Sequence, residues 1–157
     1  RCAAHRYRHA GSIGELPEPA VSDPLYRKEL MRLAADAHGA GHLSGPHATG
    51  TAHNPACGDK VIFEVAMEGG RIAALAHETK ACVLSQASAS ILGRDAKGLS
   101  RAEVEALRKA VTAMLAGDGA PSPPFDSYAA FDGVAEHRNR HTCVLLPIDA
   151  LLRAIGD

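Results

Sequence analysis

The spacing of apolar positions changes repeatedly along the chain, and each change marks an element. Ser22-Asp23-Pro24 reads as a helix start, a capping side chain followed by proline near the first helical position. Tyr26, Leu30, Leu33, Ala34 and Ala37 then recur at helical spacing. From His38 to His53 the chain is rich in Gly, His and Thr, which predicts a loop with a weak edge strand near 48–52. Over 60–67 the pattern alternates, with Val61, Phe63, Val65 and Met67 on one face and Ile62, Glu64 and Ala66 on the other. Glu68-Gly69-Gly70 is a turn, so 71–79 returns as the antiparallel partner. A helix of very small side chains follows from Cys82 to about Leu92, and 93–98, bounded by glycines, ends it.

Ser100 with Glu103 three positions on is a capping box, and Val104, Leu107, Val111, Met114 and Leu115 mark the buried stripe of the helix it opens. The Gly- and Pro-rich run 117–124 is a linker. Tyr128, Phe131 and Val134, three apart, predict a short helix packed by aromatics over 125–134. Pro147 opens a last helix with Ile148, Leu151, Leu152 and Ile155 inside. Strands and helices are thus segregated and not alternating. That pattern predicts an α+β fold, a small antiparallel sheet packed against several helices in a single domain. No internal repeat emerges.

Composition narrows the function. With 157 residues the chain is long enough for one domain with a hydrophobic core. Residues 1–21, basic and His-rich at first and then broken by Gly and Pro, read as a flexible N-terminal arm, leaving 22–157 as the domain. A formal net charge of −1 and the lack of a dense basic run offer no footprint for nucleic acid or an anionic membrane. Nor is there an apolar run near the length of a membrane span, or the apolar core of a signal peptide. The four cysteines, at 2, 57, 82 and 143, follow no disulfide-framework spacing. They point to a reducing, cytoplasmic setting, where cysteines are more often ligands or nucleophiles than bridges.

Cys82 sits where a strand gives way to a helix, so unpaired backbone N–H groups and the helix dipole favour its thiolate. The alternative for Cys82 alone is an inert buried cysteine in a small-residue helix. Cys57 and Asp59, two apart across Gly58, can face one way on an extended segment, and Cys143 lies where a loop enters the last helix. Three thiolates and a carboxylate make a four-ligand set suited to tetrahedral Zn²⁺ or to iron–sulfur ligation. The oxygen ligand would be the weakest, which suits a site that must give up what it holds. His38, His42, His47 and His53 fit no compact ligand pattern and read as solvated loop residues. From spacing alone, single cysteines 25 and 61 positions apart leave both the metal reading and the inert one open.

Three motifs in order sharpen the reading: Asn54-Pro55-Ala56-Cys57-Gly58-Asp59, the Cys-x-x-Ser-x-Ala-Ser-x-Ser segment from Cys82 to Ser90, and Cys143 at the last helix. Together they resemble the U-type iron–sulfur cluster assembly scaffolds, the IscU-like proteins and the N-terminal domain of NifU, over about 25–155. The resemblance implies a three-stranded antiparallel sheet against helices, with Cys57, Asp59, Cys82 and Cys143 as ligands of a transient [2Fe–2S] cluster or of Zn²⁺. It implies a cysteine desulfurase as partner and apo iron–sulfur proteins as clients. The long segment between Cys82 and Cys143, Phe131-Asp132-Gly133-Val134 within it, and Arg140 three before the cysteine are closer to the SufU-like branch. The first reading is a scaffold, with Cys57, Cys82 and Cys143 as ligands and sulfur acceptors (Cys143 the candidate acceptor) and Arg140 lowering thiolate pKa or docking the desulfurase. The SufU-like branch implies the alternative of a zinc-dependent sulfurtransferase, an enzyme in which one thiolate leaves the metal to attack the desulfurase persulfide. A purely structural zinc domain is the third possibility. Thr142 stands where IscU-like members carry His and SufU-like ones commonly Lys, and the chaperone-read Leu-Pro-Pro-Val-Lys segment is absent. His141 is a candidate substitute ligand, read here as an exposed loop residue.

Overall fold

The computed structural model describes residues 24–56 and 58–157. The arm expected over 1–21, the Ser22-Asp23 cap, Cys2, Cys57 and the side chains of 24–27 lie outside the described residues. The expected α+β architecture is borne out: α1 (Pro24–Asp36), then three strands, β1 (Ala48–Asn54), β2 (Asp59–Glu68) and β3 (Arg71–Lys80). The helices α2 (Val83–Asp95), α3 (Arg101–Leu115) and α4 (His141–Ile155) follow, with a 3₁₀ segment, Phe125–Glu136, between the last two and a single turn at Arg138–Arg140. The strands form one antiparallel sheet in the order β1-β2-β3, with Asn54 opposite Asp59 and Lys60 opposite Lys80.

The alternation expected for β2 is seen in burial. Val61, Phe63 and Val65 face the core, and a bulge between Ala66 and Met67 carries Met67 out to solvent. The edge strand is longer than expected because α4 lies directly on it. A Cβ added to Gly50 would come within 2.5 Å of the Ala150 carbonyl oxygen, so glycine permits the contact. Close approach also explains why α2 does not stop at Gly93. A side chain there would meet the His38 carbonyl, so this glycine seats the helix against the loop after α1 and does not break it. The loop is tied at the same place by His77, whose ring nitrogens meet the His38 carbonyl at 2.8 Å and the Thr79 hydroxyl at 2.9 Å. Burial pushes the pKa of His77 down, against the opposing pull of the His38 carbonyl, and so disfavours the charged ring.

The stripe expected on α3 is the buried one, residue for residue, and Ser100 closes the capping box with Glu103. The aromatic segment is a helix, but a tighter one. At three residues per turn, Phe125, Tyr128, Phe131 and Val134 fall on one face, and all four are buried. Their burial, roughly 1.5–3 kcal/mol each, outweighs the poorer hydrogen bonding of a 3₁₀ helix.

The last helix departs from expectation. It starts at His141 and not at Pro147, so the proline sits inside it and Cys143 lies in its first turn. A proline there removes the N–H that would serve the carbonyl of Cys143. Ser85 of α2 answers, its Oγ donating to the Cys143 carbonyl at 2.7 Å, and Ser88 Oγ donates to the next carbonyl, that of Val144, at 2.8 Å. No helix among the described residues is long and apolar enough to cross a membrane.

Candidate metal centre

The site forms at the end of the sheet where β1 turns into β2 and β3 runs into α2. The turn is built locally: Asn54 Oδ1 accepts the Ala56 N–H at 3.2 Å, and the Gly58 N–H reaches the Asn54 carbonyl at 2.8 Å. Gly58 takes φ +77°, a left-handed conformation costly to other residues, and returns the chain to Asp59 as the first residue of β2. Antiparallel pairing then sets Asp59 beside the end of β3, one step from Cys82.

Asp59 is buried, at 6 % exposure. Its Oδ1 accepts the backbone N–H of Cys82 at 3.2 Å, and its Oδ2 lies 3.4 Å from Ser85 Oγ. Cys82 is the N-cap of α2 and half-buried, while Cys143 approaches from α4 at 4 % exposure. The ligand atoms of Asp59, Cys82 and Cys143 all lie within 4.8 Å of one another, the metal-competent group found among the described residues. For a Zn–S bond of 2.3 Å the edge of a tetrahedron is about 3.8 Å, so small adjustments would close these donors on one ion. Two thiols and a carboxylate fit either zinc or iron by donor chemistry.

The electrostatics favour a thiolate. The Cys82 pKa is pulled down to about 6, chiefly because the Cys143 thiol donates to its sulfur. Burial and the Asp59 carboxylate oppose the shift. The Ser85 backbone N–H also favours the thiolate, although it does not close as a full capping hydrogen bond. A group half-ionised near pH 6 is largely thiolate at neutral pH and is both a ligand and a nucleophile.

A cavity of about 320 Å³ opens onto these groups, lined by Asn54, Ala56, Asp59, Cys82, Asn139, Arg140 and Cys143. Arg140 is therefore at the site, exposed on its rim. His141 is not among the lining residues: its Nε2 meets the Ala135 carbonyl at 3.0 Å, and it lines a separate cavity with Leu115 and Arg138. His42 and His47 converge elsewhere, on Glu64 of β2, at 2.9 and 3.6 Å. Sequence reasoning missed Ser85, which touches backbone or side-chain atoms of all three grouped residues. Its place one turn after Cys82 was the available signal. Asn139, also lining the cavity, was passed over, and nothing in its spacing marks it.

The family model described as the NifU-like N terminal domain matches residues 25–144. The chain is 30 % identical over 132 residues to the iron–sulfur cluster assembly scaffold protein IscU of Streptococcus pyogenes serotype M1, covering 83 % of this chain and 82 % of that protein. It is 25 % identical over 135 residues to the zinc-dependent sulfurtransferase SufU of Bacillus subtilis strain 168, covering 85 % and 91 %. Among solved structures, the N-terminal NifU-like protein of Brucella abortus superposes with a TM-score of 0.78 at 34 % identity, covering 83 % of this chain and 91 % of that one. A SUF-system scaffold protein of Fervidobacterium islandicum AW-1, 23 % identical over 82 % of this chain and 95 % of its own, shares the fold with a TM-score of 0.73. The matched segment carries Asp59, Cys82 and Cys143 together, and the chain belongs to the NifU-like N-terminal domain family.

Proposed function

We propose that this protein assembles a small iron–sulfur cluster and passes it to apo-proteins. The observation that carries the reading is the gathering of Asp59, Cys82 and Cys143 at one end of the sheet, in a chain of this family. In this reading Cys57, two positions from Asp59 across the Gly58 turn, supplies the third sulfur. The [2Fe–2S] cluster is cargo and stays only transiently. Asp59 is the ligand through which it leaves, since a carboxylate oxygen holds iron less firmly than thiolates do. Cys82, thiolate at neutral pH, is ready to take sulfur or iron, and Arg140 on the rim stabilises thiolate charge or docks the sulfur donor. The partners are a cysteine desulfurase and apo iron–sulfur proteins, met in a reducing compartment such as the cytoplasm.

A second reading, a zinc-dependent sulfurtransferase, is favoured by the similarity to the Bacillus subtilis protein of that name and by the depressed pKa of Cys82. Zn²⁺ bound by Asp59 and the cysteines would hold the sulfurs deprotonated and oriented. Cys143 is the candidate acceptor. Its thiolate attacks the outer sulfur of the donor's persulfide, a new S–S bond forms as the donor's breaks, and the donor leaves as thiolate, so no external oxidant is needed.

Anaerobic purification followed by Fe and Zn analysis, then addition of a cysteine desulfurase, cysteine and ferrous iron, separates the two. A visible-absorbing cluster that moves to apo-ferredoxin is the result expected of the scaffold. Faster desulfurase turnover with zinc retained and no cluster would replace it with the sulfurtransferase, and neither result would leave a structural zinc domain.

A further inference from the structure

We propose that Ser85 is a positioning residue that sets the separation of the two sulfurs through the backbone of Cys143, an inference that rests on the metal-centre reading above. In an unbroken helix the Cys143 carbonyl would accept the N–H of residue 147, but Pro147 has none. That buried carbonyl is claimed from the neighbouring helix by Ser85, at 2.7 Å. The same hydroxyl lies 3.4 Å from Asp59 Oδ2 and 3.9 Å from Cys82 Sγ. One small side chain thus touches all three grouped residues, and its link to Cys143 is to the main chain, which carries the sulfur with it.

Ser88 repeats the arrangement one turn on and braces it. Its single proton goes to the Val144 carbonyl, so the buried Tyr128 hydroxyl, 2.8 Å away, is the donor to Ser88. Two hydroxyls three apart on α2 therefore grip two successive carbonyls of α4, and Tyr128 of the 3₁₀ segment closes the chain of hydrogen bonds from behind. If the bonds served only to satisfy a buried carbonyl, any residue with its own N–H in place of Pro147 would do so. It would also avoid a proline in a helix interior, where its ring crowds the preceding turn. The combination of proline and serines instead fixes how α4 is rotated and how far it advances against α2.

The test compares Ser85→Ala, Pro147→Ala and the double variant in the metal-free 157-residue chain carrying Cys2→Ser and Cys57→Ser. Thermal stability is read beside the rate at which diamide joins Cys82 to Cys143, with the product mapped by mass spectrometry. Ser85→Ala is expected to lower stability and to slow disulfide formation roughly tenfold, because proximity governs that rate. The double variant recovers stability, since Pro147→Ala restores the missing N–H, yet its disulfide rate stays roughly tenfold below that of Pro147→Ala alone. A rate that recovers together with stability, or one that Ser85→Ala leaves unchanged, overturns the proposal. If Ser85→Ala does not fold, the double variant against Pro147→Ala carries the decision. Co²⁺ titration of the chain with all cysteines present tests the other premise separately. Failure of that chain to give thiolate-to-cobalt absorption would remove the metal reading, while the metal-free rates would still report on Ser85.

Discussion

Two helices of this protein start from the ends of the same sheet, and their caps are built from the same parts to opposite effect. At α3 the N-cap is Ser100, with backbone at φ −86° and ψ 169°; at α2 it is Cys82, at φ −66° and ψ 169°. In each, a carboxylate accepts the N-cap's own N–H: Glu103 for Ser100 at 3.0 Å, Asp59 for Cys82 at 3.2 Å. Glu103 belongs to the helix it caps, and the Ser100 hydroxyl returns the favour at 3.3 Å, so the box is closed and Arg71 seals it from outside at 2.8 Å. At α2 the carboxylate comes from a strand and the third helical position is Ser85, whose hydroxyl is committed to α4. The cap is left open, its sulfur and carboxylate aimed at a shared cavity. A closed cap stabilises a helix; an open one leaves its ligand atoms available to an ion.

The largest expected effect comes from turning the open cap into the closed kind. Cys82→Ser supplies a hydroxyl that can accept the Ser85 N–H, so the metal-free protein should keep its stability. Zn²⁺ affinity, measured by competition with a chromophoric chelator, is expected to fall at least about 100-fold, more than loss of a group that merely supports a ligand. Retention of affinity within a few-fold would take Cys82 out of the ligand set.

Asp59→Ala attacks the carboxylate half of the same comparison. If Asp59 is the ligand of exit, its removal slows release of bound metal or cluster into excess chelator, by about tenfold on the scale of changes around metal ligands. The Cys82 N–H also loses its acceptor, at roughly 1 kcal/mol of stability. Faster release would assign Asp59 to holding and not to letting go.

The third effect is a matter of pH. In metal-free protein the folded pKa of Cys82 is about 6, below the ordinary thiol value of about 8.5. Its alkylation by iodoacetamide should therefore reach half its limiting rate near pH 6. Because the folded value is depressed, the contribution of Cys82 to stability is complete above the unfolded thiol's pKa and is lost as pH falls through about 6. Cys143→Ala removes the donor that contributes most, so the alkylation midpoint should move up towards 8.5. An unmoved midpoint would mean that the helix terminus, and not Cys143, holds the thiolate.

Local signals were legible in the sequence where the residues that decide an element are its own. Ser100 with Glu103, the stripe on α3 and the alternation of Val61, Phe63 and Val65 are of this kind. Boundaries set by a distant partner were not legible. Gly93 reads as a helix breaker until the His38 carbonyl is seen against it, and Pro147 reads as a helix start until Ser85 is found answering the one bond it removes. The same holds for the site. The Cys57-Gly58-Asp59 spacing and the place of Cys82 at a strand–helix junction pointed to chemistry, but only folding brings Cys143, 61 positions on from Cys82, within 4.8 Å. Ser85 escaped notice because a serine one turn into a small-residue helix carries no mark of its partner until the carbonyl it serves is known.

The smallest expected effect is the control that gives the comparison its meaning. Ser100→Ala breaks the closed cap: the Glu103 N–H loses its acceptor, and the Glu103 carboxylate keeps only the Ser100 backbone N–H and Arg71. The cost should be about 1 kcal/mol, a fall in Tm of roughly 2–4 °C in a chain of this size by differential scanning calorimetry. Because the group lies at the far end of β3 from Asp59 and Cys82, Zn²⁺ affinity and the alkylation midpoint of Cys82 should both stay where they are. Should Ser100→Ala shift either, the two caps would be coupled through the sheet, and the separation of a stabilising end from a chemical end would fail. With both unmoved and Cys82→Ser losing metal without losing stability, two caps of one design would be shown to divide folding from chemistry by the choice between oxygen and sulfur.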